Sequence, residues 1–361
     1  MRQLHFPALF TGLFLALTTT ADPAAAKKPS DIYYETIDDF KDGFSEVGTH
    51  GANATWAYFA FGPAFTGNDG FVSTGPHGLR VVPTGMNSVT GLPAFLNTVA
   101  QEPISGLPGG VDHVKWLAYT NHFADTGFPG YDAKPGRVVA CESIVSGRTF
   151  GTEYHPFGGA VDNANDDLRL AAFAMNTIDV ETFMVYDFFI TNETVYAFYE
   201  RLPFGRGPAL GNYAAFSYAV PVANYHPYKK TLLKIAYDKS AGKVYWFVNG
   251  HKVMQVDNIG MRLPSREFMT IDHGGVETPV SPNQINCGMG MFTLLDAHLP
   301  SGQGLVRLSN APNFYFNPEV GEPVGETYID DDSLESSRLF GQGAELRVKR
   351  YWISSLPSWL Y

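Results

Sequence analysis

The chain has 361 residues, 45% of them hydrophobic and 14% aromatic, with 25 Lys and Arg against 36 Asp and Glu for a formal charge of −11. That acidic balance argues against nucleic acid and anionic membranes as partners, and is silent on a neutral polysaccharide or a small molecule. Apolar content on this scale supplies a large core, and one all-β domain of this size is ordinary.

Residues 1–26 read as a signal peptide. Arg2 gives a short basic start and Ala8 to Leu17 (ALFTGLFLAL) an apolar run too short to span a bilayer. Ala24 and Ala26 stand at −3 and −1 of a cleavage site, with cleavage after Ala21 as the alternative. Residues 27–361 are then expected to form a single β-sandwich domain of a secreted, soluble, monomeric protein. No later segment is long and apolar enough to suggest a membrane span, and no hydrophobic tail ends the sequence.

Helical periodicity is almost absent from the remainder. Short apolar runs separated by Gly, Pro, Asn and Asp recur throughout, which is the pattern of a sandwich. Asp31 to Phe44 and Gly78 to Val82 read as early strands. Thr84 to Pro135 follows as a long irregular stretch holding His113, Trp116 and His122. A second such stretch runs from Asp296 to Ser337. Both are expected to wall a groove, with coverage of a sheet edge as the alternative.

Arg137 to Val145 reads as a strand carrying Cys141 and Glu142. Glu142 shares its face with Val138, Ala140 and Ile144, where a carboxyl has a raised pKa or an Arg partner such as Arg148, Arg169 or Arg201. Cys141 and Cys287 are expected to form a disulfide or to remain as two buried thiols. Asn53 (Asn-Ala-Thr) and Asn192 (Asn-Glu-Thr) are sequons, used only in a eukaryotic host.

Phe183 to Arg201 reads as a hairpin apolar on both faces, with Asp187 and Glu200 as its interior acids. With a two-residue loop at Asn192-Glu193, Asp187 lies opposite Phe198 and Glu200 is its diagonal neighbour on the same face. With a three-residue loop, Glu200 points away. In the first register the carboxyls approach the ~5–5.5 Å separation used by retaining glycosidases.

Leu232 to Ile259 is the most informative run. It reads as three strands joined by a turn at Asp238 to Lys243 and by Asn249-Gly250, a pair suited to a type I′ hairpin. The hairpin Tyr237 to Gly250 resembles the central hairpins of the concanavalin A-like lectin/glucanase superfamily. Asp38-Asp-Phe40 resembles the opening strand of its secreted glucanases, and Glu345 to Ile353 the closing strand that returns beside the first. The resemblance implies an all-β, concanavalin A-like jelly-roll sandwich and a carbohydrate-active role. The Glu-x-Asp-x-Glu strand of the family 16 glycoside hydrolases is missing, so their mechanism does not carry over.

The residues therefore point to a glycoside hydrolase, or a polysaccharide lyase, acting on a polysaccharide or other small ligand. Asp187 and Glu200 are the candidate catalytic pair, with Glu142 in reserve. Tyr199, Tyr154, His155 and Trp116 are candidates for sugar stacking or binding. For a lyase, Gln284, Asn286 and the Tyr154-His155 pair are the residue types needed. His226 and His273 are further loop imidazoles, and no metal-ligand spacing links the histidines. No cofactor is expected beyond a structural calcium at Asp162 to Asp167 or Asp330 to Asp332. The alternatives are a non-catalytic lectin-like module and an accessory protein of secondary metabolism holding an apolar small molecule.

Overall fold

The computed structural model describes residues 32–299, 303–321 and 326–361. The expected leader, residues 1–26, lies outside the described residues. Two antiparallel sheets face each other in a β-sandwich, as expected of the all-β fold. The first runs, in spatial order, His251–Val256, Lys243–Val248, Thr231–Asp238, Arg137–Phe150, Gly343–Pro357, Gly78–Val82 and Phe71–Gly75. Tyr33–Asp38 joins it beside Gly343–Pro357, so the opening and closing strands pair as expected. The second runs Met269–Asp272, Phe216–Asn224, Thr194–Arg201, Met184–Ile190, Ala171–Asp179, Gln284–Thr293, Val114–Thr120 and Trp56–Tyr58, with Tyr131–Asp132 beside Gln284–Thr293.

Period-2 alternation decides what fills the space between the sheets. Val139, Cys141, Leu233, Ile235, Trp246 and Ile353 come from the first sheet, and Met175, Tyr186, Phe188, Tyr199 and Met289 from the second. Trp246 is fully buried and donates from its indole nitrogen to the backbone carbonyl of Asp187, 2.9 Å away, so the central hairpin of one sheet also holds the other. Asn249 and Gly250 have φ of 52° and 82°, the left-handed pair that a type I′ turn requires. Cys141 and Cys287 are bonded across the core, with Cα atoms 5.7 Å apart.

The second sheet has an apolar outer face as well. Phe189, Phe198, Ala172 and Phe292 lie there under Leu107, Val111, Ala297, Tyr315 and Tyr328 from the two long connecting stretches. Those stretches therefore cover part of a sheet face. The first is also not strandless, because Val114–Thr120 within it is an inner strand of the second sheet. This explains why the Phe183 to Arg201 hairpin reads as apolar on both sides.

Candidate functional site

Met184–Ile190 and Thr194–Arg201 pair in the two-residue-loop register, Ile190 opposite Val195 and Asp187 opposite Phe198. Neither Asn192 nor Glu193 has a positive φ, so the loop is not a type I′ turn. Asp187 and Glu200 thus share the outer face of the second sheet, as diagonal neighbours. Their environments differ.

Asp187 is 4% exposed. Its carboxyl accepts from Asn176 Nδ2 at 2.6 Å and from the Thr177 backbone N–H at 2.7 Å. Burial, then the charge of Glu200, pushes its pKa well above the usual carboxylate range. A sealed acid between two donors positions backbone and cannot touch a ligand.

Glu200 is only partly buried. Ser217, directly across the next strand pair, donates its hydroxyl to Glu200 Oε1 at 2.5 Å. Burial raises the carboxyl to about 7, against the opposing pull of the Ser217 hydrogen bond and of the His113 charge. Among the described residues no Lys or Arg forms an ion pair with Glu200 or with Asp187. A carboxyl poised near neutrality and open on one side is what proton transfer needs.

The two long stretches bring further chemistry to this face of the sheet. His113 ends the short 3-10 turn Gly109–His113 and donates from Nε2 to Asp296 Oδ1 at 2.5 Å. Tyr315 donates to Asp296 Oδ2, also at 2.5 Å. Asp296 is held below the usual carboxylate range by His113 and Tyr315 in spite of its burial, and His113 is raised by Asp296 and then by Glu200. Burial takes His273 down to about 4, so it is neutral, donating from Nδ1 to the Phe314 carbonyl. Tyr119 lies half-buried on the same face, its ring over Gly288, where an added Cβ would come within 2.5 Å of it. Its phenol is raised by burial and by the charges of Asp187 and Glu200. Phe61 and Phe204 meet edge to face at 6.4 Å, and Phe204 borders Gly110 beside the His113 ring.

Several other expectations are corrected. Glu142 lies on the outer face of the opposite sheet, directly across from Lys234, which it pairs with at 2.6 Å. Its partner is a cross-strand lysine rather than an arginine, and it stands apart from Asp187 and Glu200. Trp116 and Tyr199 are fully buried in the inter-sheet core and offer no face to a sugar. The Tyr199 hydroxyl is used on the Met261 carbonyl at 2.9 Å. Tyr154 is exposed, but it and His155 lie at the turn after Arg137–Phe150, where His155 feels Asp167 and Arg169 rather than the Glu200 cluster.

Gln284 and Asn286 do share the outer face, yet Gln284 is bound to Thr126, Asp179 and Glu181, and Asn286 to Thr120. Asp166 accepts from Thr191 and Thr194, Asp167 pairs with Arg169 and Asp331 with Arg307. Among the described residues no three His, Cys, Asp or Glu side chains are grouped to hold a metal ion. Asn53 is exposed, whereas the Asn192 amide is bonded twice to the Thr149 backbone, at 2.8 and 3.0 Å, so the folded chain offers only the first sequon. Two clefts of about 280 and 490 Å³, beside His298 and beside His226, contain none of the Glu200 cluster.

A family model described as a family of unknown function (DUF6081) matches residues 37–357. The chain belongs to that family. An uncharacterized protein of Acanthamoeba polyphaga mimivirus is 30% identical over 380 aligned positions, which cover 78% of this chain and 81% of that protein. Among solved structures, an apo Crh5 transglycosylase is similar over 90% of this chain and 84% of its own, at 12% identity and a TM-score of 0.39. A β-glucanase of Bacillus licheniformis is similar over 91% and 99%, at 10% identity and a TM-score of 0.34. Likenesses this distant say nothing about which residues act.

Sequence reasoning found Glu200 through its isolation in an apolar hairpin, and named His113 only as a member of the first long stretch. Asp296 marked the start of the second stretch and had no signal of its own. Their contact spans 183 positions of sequence, and no local pattern announces it.

Proposed function

We propose that this chain is a carbohydrate-active enzyme, a glycoside hydrolase whose working carboxyl is Glu200, on the outer face of the second sheet. The observation that carries the reading is a partly open carboxyl, raised by burial to about 7, that no Lys or Arg pairs with among the described residues. Ser217 orients it, and the rings of Phe61 and Phe204 offer apolar surface beside His113. The sandwich scaffold and its resemblance to the lectin/glucanase superfamily support a polysaccharide as the substrate. Secretion through the leader at residues 1–26 belongs to the same reading.

A screen of neutral and acidic polysaccharides for reducing ends tests this. The wild-type chain is expected to cleave at least one, and Glu200→Gln, which keeps the Ser217 hydrogen bond, to lose at least 100-fold in turnover. Equal turnover by the two proteins, or none on any glycan, overturns the reading. The second reading is a lectin-like module, favoured by the sealing of Asp187, which leaves one usable carboxyl where a retaining pair needs two. Calorimetric binding of an oligosaccharide without product would establish it.

A further inference from the structure

We infer that the outer face of the first sheet carries a separate glycan-binding site, built from Arg80, Arg148, Arg347 and Tyr228, which takes the carboxylate of a uronic acid in an acidic polysaccharide. The inference shares only the polysaccharide class of ligand with the proposed function and uses none of its residues. Antiparallel register sets Arg148 opposite Glu345 and Arg347 opposite Arg80. Leu79, Val81, Ala344, Leu346 and Val348 fill the inter-sheet core from the same strands. Alternation therefore turns Arg80, Glu345 and Arg347 outward together. Arg80 donates to Glu345 from Nε at 2.9 Å and from Nη2 at 3.2 Å, and Arg347 donates to it from Nε at 2.5 Å. The Glu345 side chain is 4% exposed, whereas those of Arg80 and Arg347 are 42% and 46% exposed. The carboxylate thus lies underneath and holds two guanidiniums at the surface.

Arg148 reaches the same spot through a ring. Its guanidinium carbon lies over the Phe150 ring at 5.3 Å and over the Tyr228 ring at 5.6 Å, and that of Arg347 lies over Tyr228 at 4.7 Å. One phenol therefore joins two guanidiniums that the strands present separately. Tyr228 is fixed at both ends: its N–H donates to the Gly147 carbonyl at 2.8 Å, and its hydroxyl to Glu345 Oε2 at 3.3 Å. Its φ of 63° is a left-handed conformation that a bulky residue rarely adopts, and the side chain stays exposed. Among the described residues Arg148 has no carboxylate partner, and its Nε is buried without a hydrogen bond. Three guanidiniums thus share one carboxylate, a local positive excess on a chain whose formal charge is −11. A planar guanidinium fork matches a carboxylate, as Arg80 demonstrates in its two-pronged hold on Glu345. The Tyr228 ring beside the fork suits the apolar face of a pyranose. A uronate answers both features, whereas a free inorganic anion answers only the charge.

The test is calorimetric binding of oligogalacturonate and alginate oligosaccharides to the full chain, with methyl-esterified oligogalacturonate and dextran oligosaccharides as controls without a free carboxylate. The wild type is expected to bind at least one uronate at low salt, to release it as salt rises, and to ignore both controls. Arg148→Gln strands no carboxylate, so its melting temperature should match the wild type while its affinity falls about tenfold. Tyr228→Ala should weaken binding too, and Tyr228→Phe, which keeps the ring, should restore it. Undiminished binding by Arg148→Gln, or equal binding of the uronate and its methyl ester, overturns the site. Inorganic sulfate or dextran sulfate bound as well as the uronates, with Tyr228→Ala making no difference, marks an unspecific anion patch and overturns the uronate assignment. Glu200→Gln should bind uronates as the wild type does. Failure to bind any uronate, beside cleavage of a glycan that needs Glu200, sinks the inference and leaves the proposed function standing. Uronate binding that needs Arg148, with no glycan cleaved, does the reverse.

Discussion

The two outer faces of this sandwich treat a glutamate in opposite ways. Glu142 sits on the first sheet among Val138, Ala140 and Ala236, and a lysine directly across the strand pair neutralises it, with the Tyr34 hydroxyl as a second donor at 3.3 Å. Glu200 sits partly buried on the second sheet and, among the described residues, accepts from the Ser217 hydroxyl without a Lys or Arg partner. Both strands look alike in sequence. What separates them is the neighbouring strand, which offers a cation in one case and a serine in the other. A carboxyl that loses solvent without gaining a Lys or Arg partner shifts its pKa upward, and that shift suits it to proton transfer.

The largest expected contrast is in turnover. Glu200→Gln should lose about 100-fold to 10,000-fold, the usual worth of a positioned acid or base, while Glu142→Gln leaves turnover unchanged on the same polysaccharide. Comparable losses in both variants would erase the distinction between the faces.

Next comes stability at Asp187. Removing its carboxyl leaves the Asn176 amide and the Thr177 N–H without acceptors in a buried site, so Asp187→Ala should cost about 2–4 kcal/mol in urea unfolding. Asp187→Asn keeps one acceptor and, with the Asn176 amide turned over, regains the second contact. It should stay within about 1 kcal/mol of wild type at neutral pH, because both hydrogen bonds are kept and burial already disfavours the charge. A large loss in the asparagine variant would mean that the charge itself is needed.

A pH series separates Glu200 from its counterpart. The folded carboxyl binds its proton more tightly than the unfolded one, near 7 against 4.5. The fold is therefore favoured at low pH, and stability falls as pH rises from about 4.5 through about 7. Relative to wild type, Glu200→Gln should gain on the order of 2–3 kcal/mol between pH 4 and pH 8. A pH-independent difference between the two proteins would count against the shift. The smallest effect belongs to the far face, where Glu142→Gln disrupts a pair with a partly exposed lysine and should cost about 1 kcal/mol or less.

Most of the scaffold was legible because local rules agreed. Asn249-Gly250 specified its turn, and the strands on either side alternated cleanly between Trp246 inside and Phe247 outside. The Phe183 to Arg201 hairpin was legible down to a choice of two registers, since its Asn-Glu loop lacks the positive-φ residues that would have decided. Trp116 and Tyr199 were misread because an aromatic side chain carries no mark of the face it occupies when both faces are apolar. Glu142 and Lys234 are 92 residues apart in number and adjacent in space, and only sheet order reveals the pair. The site is a product of tertiary structure in the same sense. Glu200 was readable from its own strand, and His113 and Asp296 met each other only when two long connections folded over one sheet face.

The most direct measurement is the ionisation of the Glu200 carboxyl itself, followed by NMR in protein labelled with 13C at glutamate side chains and assigned through Glu200→Gln. A midpoint near 7 is predicted for Glu200. A midpoint in the ordinary range near 4 to 5 would contradict the claim that this face of the sandwich holds a working acid–base group.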